Sequence, residues 1–322
     1  MRKIFAGLAL ALIASISASQ AQDFPNRALR LVVAFPAGGP TDFVARLLAD
    51  RLKSILGQSV LVENKSGANA AIGADYVAKS EPDGYTLFFT TISAVVMNPH
   101  LRADLPYDPV RDFAPVTRLV LTKEVLVVNA KSPIKSVKEM VDLAKEKTGG
   151  MPMFSTGVGS LPHLALELFQ QSAGVKVVHV PYRGAAPAVT DLLGGQIVGG
   201  FLDLPVVMPQ IIGGNLRALG TASAKRDEVL PDVPTLDEQG YPEVYADNWY
   251  ALFAPARTPA PVIAKLNAAF KIALTDPEVS RKLLAAGAVP APTTPEELGD
   301  ILKADFARWG RIIRQRNIKT TE

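Results

Sequence analysis

The chain has no cysteine. That excludes disulfides, thiolate zinc sites, iron–sulfur clusters and a cysteine nucleophile. Three histidines leave few ligands for a metal centre, and His100 and His179 make no metal-spaced motif. An excess of one charge is also missing. The 34 Lys and Arg against 31 Asp and Glu give a formal +3, with no basic stripe of the kind nucleic acid needs. After the first residues no apolar run approaches the roughly 20 residues that span a bilayer. Glycine and proline, 24 and 25 residues, fall short of a low-complexity chain, and 48% hydrophobic residues argue against long disorder. What remains is a globular protein of 322 residues, long enough for two domains with their own cores.

Residues 1–21 read as a secretory signal peptide. Arg2 and Lys3 precede an apolar run from Ile4 to Ile16, and Ser19-Gln20-Ala21 is a small-x-small site that predicts cleavage after Ala21. Removing Arg2 and Lys3 lowers the formal charge from +3 to about +1, so the exported chain is nearly neutral.

Strand-like and helix-like segments then alternate, which predicts an α/β architecture. Leu29 to Phe35 is a short apolar run suited to a buried strand. From Thr41 to Leu56, Phe43, Val44, Leu47, Leu48, Leu52 and Ile55 keep helical spacing up to Gly57. Further strands are expected at Val60–Glu63, Tyr85–Thr90, Glu124–Asn129, Pro152–Thr156, Val175–Val180, Ile197–Leu202 and Leu216–Thr221. Helices are expected at Ala74–Lys79, Val137–Lys145, Pro162–Ala173 and Pro187–Leu193. Thr294, Pro295 and Glu297 form a capping box ahead of a last helix with Leu298, Ile301, Leu302, Trp309, Ile312 and Ile313 on one stripe. Leu121–Val127 and Asp247–Pro255 are candidate hinges.

Three strand-to-helix junctions carry the chemistry. The first is Phe35-Pro36-Ala37-Gly38-Gly39-Pro40-Thr41-Asp42. With Pro40 as the first helical residue, the free N–H groups of that turn face the strand end, where a carboxylate is a natural guest. The same residues also suit a plain turn in which Thr41 and Asp42 satisfy the helix start. The second is Ser155-Thr156-Gly157-Val158-Gly159-Ser160, followed by Leu161-Pro162-His163. Its hydroxyls and N–H groups suit an oxyanion. It is neither a dinucleotide fingerprint nor a nucleophile elbow. The third, Pro181 to Pro187, contains Arg183, which has the geometry to fork a carboxylate or to sit solvated at the surface. None of the three contains a good nucleophile–base pair; Ser160 and His163 are the one conceivable dyad.

Residues Arg30 to Asp42 resemble the first loop of the Bug family, the extracytoplasmic solute-binding receptors of tripartite tricarboxylate transporters. Val62-Glu63-Asn64-Lys65, Pro82 to Leu87, Gly157-Val158-Gly159-Ser160 with His163-Leu164-Ala165, His179 to Gly184, Asp191 to Gln196 and Leu230 to Thr235 continue the resemblance in order. It implies a type II periplasmic-binding-protein fold: two α/β lobes joined by two crossing strands, with ligand trapped between them. The first lobe would take residues 22–124 and 248–322, and the second 125–247. It implies a receptor for a small carboxylate (a di- or tricarboxylate, an acidic amino acid or an aromatic acid) in the periplasm. The protein would be a monomer without catalysis or cofactor, and its partners would be membrane permease subunits. First-lobe contacts carried over are Phe35, Ala37, Gly38, Gly39, Thr41 and Asp42, with Ser93 added. Second-lobe contacts are Thr156, Gly157, Ser160, Gly184, Ala185 and Ala186, with Arg183 and Asp203 lining the pocket. The family often has Lys where Arg183 stands and Asp near Val198 and Leu202. Here Arg183 suggests a second acidic group on the ligand, and Asp203 an amine. The rival expectations are a receptor serving a membrane signalling protein and an exported hydrolase using Ser160 and His163.

Overall fold

A computed structural model describes residues 24–319. The expected leader, residues 1–21, and its cleavage after Ala21 lie outside the described residues.

Two α/β lobes share a pair of long strands. In the first, β1 (Leu29–Val33) lies between β2 (Val60–Asn64) and β3 (Thr86–Thr91), both parallel to it. All but one residue of β1 are buried, as expected of a parallel strand covered on both faces. On one face lie α1 (Pro40–Leu56), α8 (Ala260–Thr275) and α9 (Pro277–Ala285), numbered by their place in the chain. In the second lobe β5 (Met151–Ser155) is parallel to β6 (Val177–Pro181) and to β7 (Gly199–Asp203). Its helices are α4 (Val137–Glu146), α5 (Leu161–Ala173), α6 (Ala185–Leu193) and α7 (Leu204–Ile212).

The link is β4 (Phe113–Asn129), seventeen residues long. From Phe113 to Lys123 it pairs antiparallel with β9 (Asp247–Pro255); from Glu124 onward it pairs with β7 and, on its other edge, with β8 (Leu216–Thr221). The short β10 (Val289–Pro290) also pairs with it. The strand order is therefore continuous across both lobes, β2-β1-β3-β9-β4-β7-β5-β6.

Most expected elements are present with shifted ends. β4 begins eleven residues before the expected Glu124, because Pro115, Thr117 and Arg118 break the alternation that signals a strand. Pro115 lacks an N–H, and the ladder shifts register between Pro115 and Thr117. The helix expected at Ala74 is α2 (Ala71–Ala78), and α6 starts at Ala185, two residues before Pro187. A wholly buried π-helical turn, Ser93–Met97, and the short α3 (Asn98–Leu101) follow β3 without having been expected. The last helix, α10 (Pro295–Gln315), has its capping box at Thr294 and Glu297 and buries Leu298, Leu302, Trp309 and Ile313, as its stripe predicts.

Candidate ligand-binding cleft

The three junctions meet at one cavity of about 50 Å³ between the lobes. The chain brings four helix starts to it. Pro40 and Thr41 open α1, Leu161 and Pro162 open α5, Ala185 and Ala186 open α6, and Asp203 precedes α7. No side chain caps α1, α6 or α7. Their first N–H groups and the positive ends of their dipoles therefore face the same space. Thr91 and Ser93 line the first-lobe wall and Thr156 and Ser160 the second. No Lys, Arg or His is among the lining residues. An anion held here would rest on backbone N–H groups, hydroxyls and helix ends.

Of the residues expected from the sequence, Phe35, Ala37, Gly39, Thr41, Ser93, Thr156, Ser160, Gly184, Ala185, Ala186 and Asp203 line this cavity. Four do not. Gly157 and Arg183 border a larger adjoining cavity of about 680 Å³, which shares Phe35, Pro36, Thr156 and Gly184 with the first. Arg183 is exposed there, so its charge sits at the outer chamber and not against the inner walls. Gly38 and Asp42 lie behind the first loop. Gly38 has φ +77, a conformation that glycine adopts freely. Its N–H donates to Asp42 Oδ2 at 3.0 Å, Arg46 Nε donates to the same oxygen at 2.9 Å, and Asn64 Nδ2 donates to Oδ1 at 3.0 Å. Asn64 also donates to the Phe35 carbonyl. Burial alone would raise the Asp42 carboxyl; Arg46, the Gly38 N–H and Asn64 together hold it below the usual range. Asp42 is thus the brace that shapes the loop.

Pro36, Pro40, Thr91, Leu161, Pro162, Leu202 and Asn248 also line the inner cavity and were not singled out from the sequence. Pro36, Pro40, Leu161 and Pro162 stood inside the junctions that were. Asn248 had no motif; only its place in the candidate hinge Asp247–Pro255 drew notice.

Asp203 sits where the crossing strands meet β7. Its carboxylate accepts from Thr122 Oγ1 at 3.0 Å, from Asn248 Nδ2 at 2.9 Å and from Tyr250 Oη at 2.7 Å. Glu124 stands opposite Asp203 in the ladder and is fully buried. Its oxygens find no donor, so as a carboxylate it would face another carboxylate. Burial first, and then the Asp203 charge, push the Glu124 carboxyl well above the usual range. Burial and the Asp203 charge thus favour the protonated form of Glu124, which spares this wall a second buried carboxylate. With these donors on it, Asp203 is not a free receptor for an amine.

The Ser160–His163 dyad is not formed. Ser160 Oγ donates to the Gly157 carbonyl at 2.7 Å and accepts from the His163 backbone N–H, as a helix cap. The ring Nδ1 of His163 accepts from the Gly159 N–H. The ring stacks on His179 with centroids 4.0 Å apart, and His179 Nε2 shares a 2.6 Å hydrogen bond with the buried Ser155 Oγ. Burial, and the neighbouring ring, push His163 down to about 3; burial pushes His179 down to about 4. These two neutral rings lie under the 156–160 loop as structural supports. Among the described residues no group of His, Asp and Glu is placed to hold a metal ion.

The lobes touch directly. Asn69 Nδ2 donates to the Gly159 carbonyl at 2.8 Å, the Leu161 N–H donates to Ser93 Oγ at 3.2 Å, and Gly184 packs against Pro36.

Comparison with known proteins agrees with this arrangement. A family described as "Tripartite tricarboxylate transporter family receptor" matches residues 44–318. Protein BugT of Bordetella pertussis is 37% identical over 300 residues, 93% of this chain and 92% of that one. The solved structure of periplasmic binding protein BugD superposes with a TM-score of 0.87 at 32% identity, over 92% of this chain and all of that one. Rpa4515 of R. palustris with adipate gives 0.89 at 34% identity, over 92% of this chain and 99% of that one.

Proposed function

The chain belongs to the tripartite tricarboxylate transporter receptor family, and we propose that its inner cavity is the place where it captures a small carboxylate. The protein is a solute-binding receptor of the two-lobed periplasmic-binding-protein fold, not an enzyme, and it works in the periplasm. The observation that carries the ligand class is the convergence of uncapped helix starts on a cavity with no cationic side chain. Such a site stabilises one carboxylate by many weak donors and leaves room for lobes that open and close around it. The solved relative with adipate supports the same class. Residues 22–124 with 248–322, and 125–247, are the two lobes in this reading, hinged where β4 passes from β9 to β7. Export ends with cleavage after Ala21, and the loaded monomer hands its ligand to the membrane permease subunits.

Closure needs a ligand that binds the closed state better than the open one. Here the first lobe supplies Thr41 and Ser93, and the second Thr156, Ser160 and the start of α6. A thermal-shift panel on the chain from residue 22 tests the reading with mono-, di- and tricarboxylates, acidic amino acids and aromatic acids. A ligand at 100 times its Kd adds about 2.7 kcal/mol. Stabilisation confined to carboxylates is the expected result. No stabilisation by any of them, from protein unfolded and refolded to strip bound ligand, would overturn it.

A further inference from the structure

Positive charge is divided unevenly between the two chambers of the cleft. Among the described residues the inner cavity is lined by no cation. The outer chamber, of about 680 Å³, is bordered by Arg102 from the first lobe and Arg183 from the second, and by no Asp or Glu. Its rim is exposed at Ser66, Gly67, Ala68, Pro181 and Arg183. Arg102 Nε lies 3.5 Å from the exposed Asp104, which offsets part of its charge. The Arg183 side chain has no ion pair or hydrogen bond among the described residues. An arginine that supports the fold has such partners, as Arg217 has in the carbonyls of Ala130, Ser132 and Ile134. The two chambers share Phe35, Pro36, Thr156 and Gly184, so an acid beside Arg183 is one step from the helix starts.

From this we infer that the outer chamber is a capture site, where Arg183, with Arg102 opposite, draws the carboxylate in before it passes to the inner cavity. The inference rests on the carboxylate reading above and adds a first station to it. The exported chain is nearly neutral as a whole, so its pull on an anion comes from where its charges stand and not from their sum. Charges at the mouth of a cleft with low-dielectric walls focus the field along the approach. They act on the rate of association, whereas contacts made in the final complex act on the rate of release. A cation against the inner cavity would hold the acid and slow its release. Placing the charge outside speeds loading without lengthening the stay, which suits a receptor that must give up its cargo.

Stopped-flow binding tests this with butyrate, adipate, citrate, glutamate and benzoate, one from each class of the thermal-shift panel. For every acid the wild-type protein binds, Arg183→Gln should slow association at about 10 mM salt, where screening reaches only over ~30 Å. The expected loss is at least about twofold for an acid of one net charge and about threefold for one with more, with the release rate unchanged. The difference should shrink at about 150 mM salt, where the screening length is ~8 Å. Arg183→Lys keeps the charge without the fork and should associate as the wild type does; Arg183→Glu should be slower than Arg183→Gln. Unchanged association in Arg183→Gln at low salt would overturn the inference. So would release that quickens as much as association slows, because Arg183 would then hold the acid in the final complex, or a loss that Arg183→Lys does not repair. Carboxylate binding with kinetics indifferent to Arg183 leaves the receptor reading standing and removes only the capture site; a protein that binds none of the five acids removes both.

Discussion

The side-chain amide of Asn69 reaches across the cleft to the Gly159 carbonyl at 2.8 Å. Asn69 is the middle of three successive residues with positive φ, Ala68 at 47°, Asn69 at 48° and Ala70 at 74°. Such backbone is unfavourable for residues with a Cβ, and asparagine tolerates it better than alanine. A second bond from Asn69 to Asn98 Oδ1, and one from Asn98 back to the Asn69 carbonyl, hold the turn in place. The first lobe thus stores an unfavourable conformation in order to aim one donor at the second. Asn69→Ala removes that donor. A net hydrogen bond is worth about 1 kcal/mol, so the variant should bind its carboxylate roughly fivefold more weakly. The loss should appear mainly as faster release in stopped-flow measurements. An unchanged release rate would show that this contact does not favour the closed state.

Gly184 should matter for a different reason. It precedes α6 with φ +105, and a Cβ there would lie 3.0 Å from Pro36 Cγ in the other lobe. Gly184→Ala therefore strains the backbone and wedges the lobes apart at the edge of the cavity. Its cost falls on the closed state more than on either lobe alone. The expected outcome is ligand affinity at least tenfold lower, with the apo melting temperature changed by only a few degrees. Small-angle scattering should show less compaction on ligand addition than in the wild type.

Asp42 is the third site, and its role differs from the direct contact expected of it. Asp42→Ala frees the Gly38 N–H, Asn64 and Arg46 together. The fold should survive, because the β1 and α1 cores do not depend on that carboxylate, while the loop that presents Ala37 and Gly39 loosens. Affinity should fall about tenfold, and Asp42→Asn, which keeps acceptor Oδ1, should recover part of it. Calorimetry on both variants checks the order.

These cases show how far the sequence could be read. The junctions were legible because glycine, proline and hydroxyl residues at a strand end leave few alternatives, and Phe35, Thr41, Thr156, Ser160 and Ala185 do meet at one cavity. Direction was not legible. Asp42 and Thr41 are adjacent in the sequence, yet Thr41 lines the cavity and Asp42 turns behind the loop. Helix geometry separates neighbours by about 100°, so a one-residue difference changes the face. Asp203 looked like a free acid because its partners Thr122, Glu124, Asn248 and Tyr250 lie on strands far away in the chain. The first half of β4 was invisible for a similar reason: its stability comes from pairing with β9, more than 120 residues later, and not from its own alternation.

Glu124 makes stability depend on pH in a definite sense. Its carboxyl in the folded protein is raised well above the ordinary 4.5, by burial first and then by Asp203. The folded state therefore holds a proton that the unfolded state releases, and stability is fully present below that ordinary value and declines as pH rises toward the folded value. Glu124→Gln keeps a neutral donor facing Asp203 without a proton to lose. The variant should melt no lower than the wild type at neutral pH, and its margin over the wild type should widen as the pH is raised. Melting curves across pH 5 to 9 measure the difference; parallel curves would mean that Glu124 carries its charge in the folded protein.

The stacked pair His163 and His179 gives the opposite slope. Their rings lie 4.0 Å apart and nearly parallel, and they are pushed down to about 3 and about 4. Glu167, 3.7 Å from His163 Nε2, is itself raised by burial and does not reverse this. Folding thus keeps both rings neutral, so their contribution is complete above the ordinary 6.5 and is lost as pH falls toward the folded values. Protonating His163 Nδ1 would also remove the acceptor of the Gly159 N–H, and with it the shape of the loop that offers Thr156 and Ser160 to the cavity. The melting temperature should therefore fall between pH 6 and 4, whereas ligand affinity should hold until the pH approaches the folded value of His163, about 3. NMR titration of the imidazole Cε1–H signals should show His163 and His179 still neutral at pH 5. If these two instead titrate near 6.5, the rings are not held as this packing requires, and the acid sensitivity of the second lobe must come from its carboxylates.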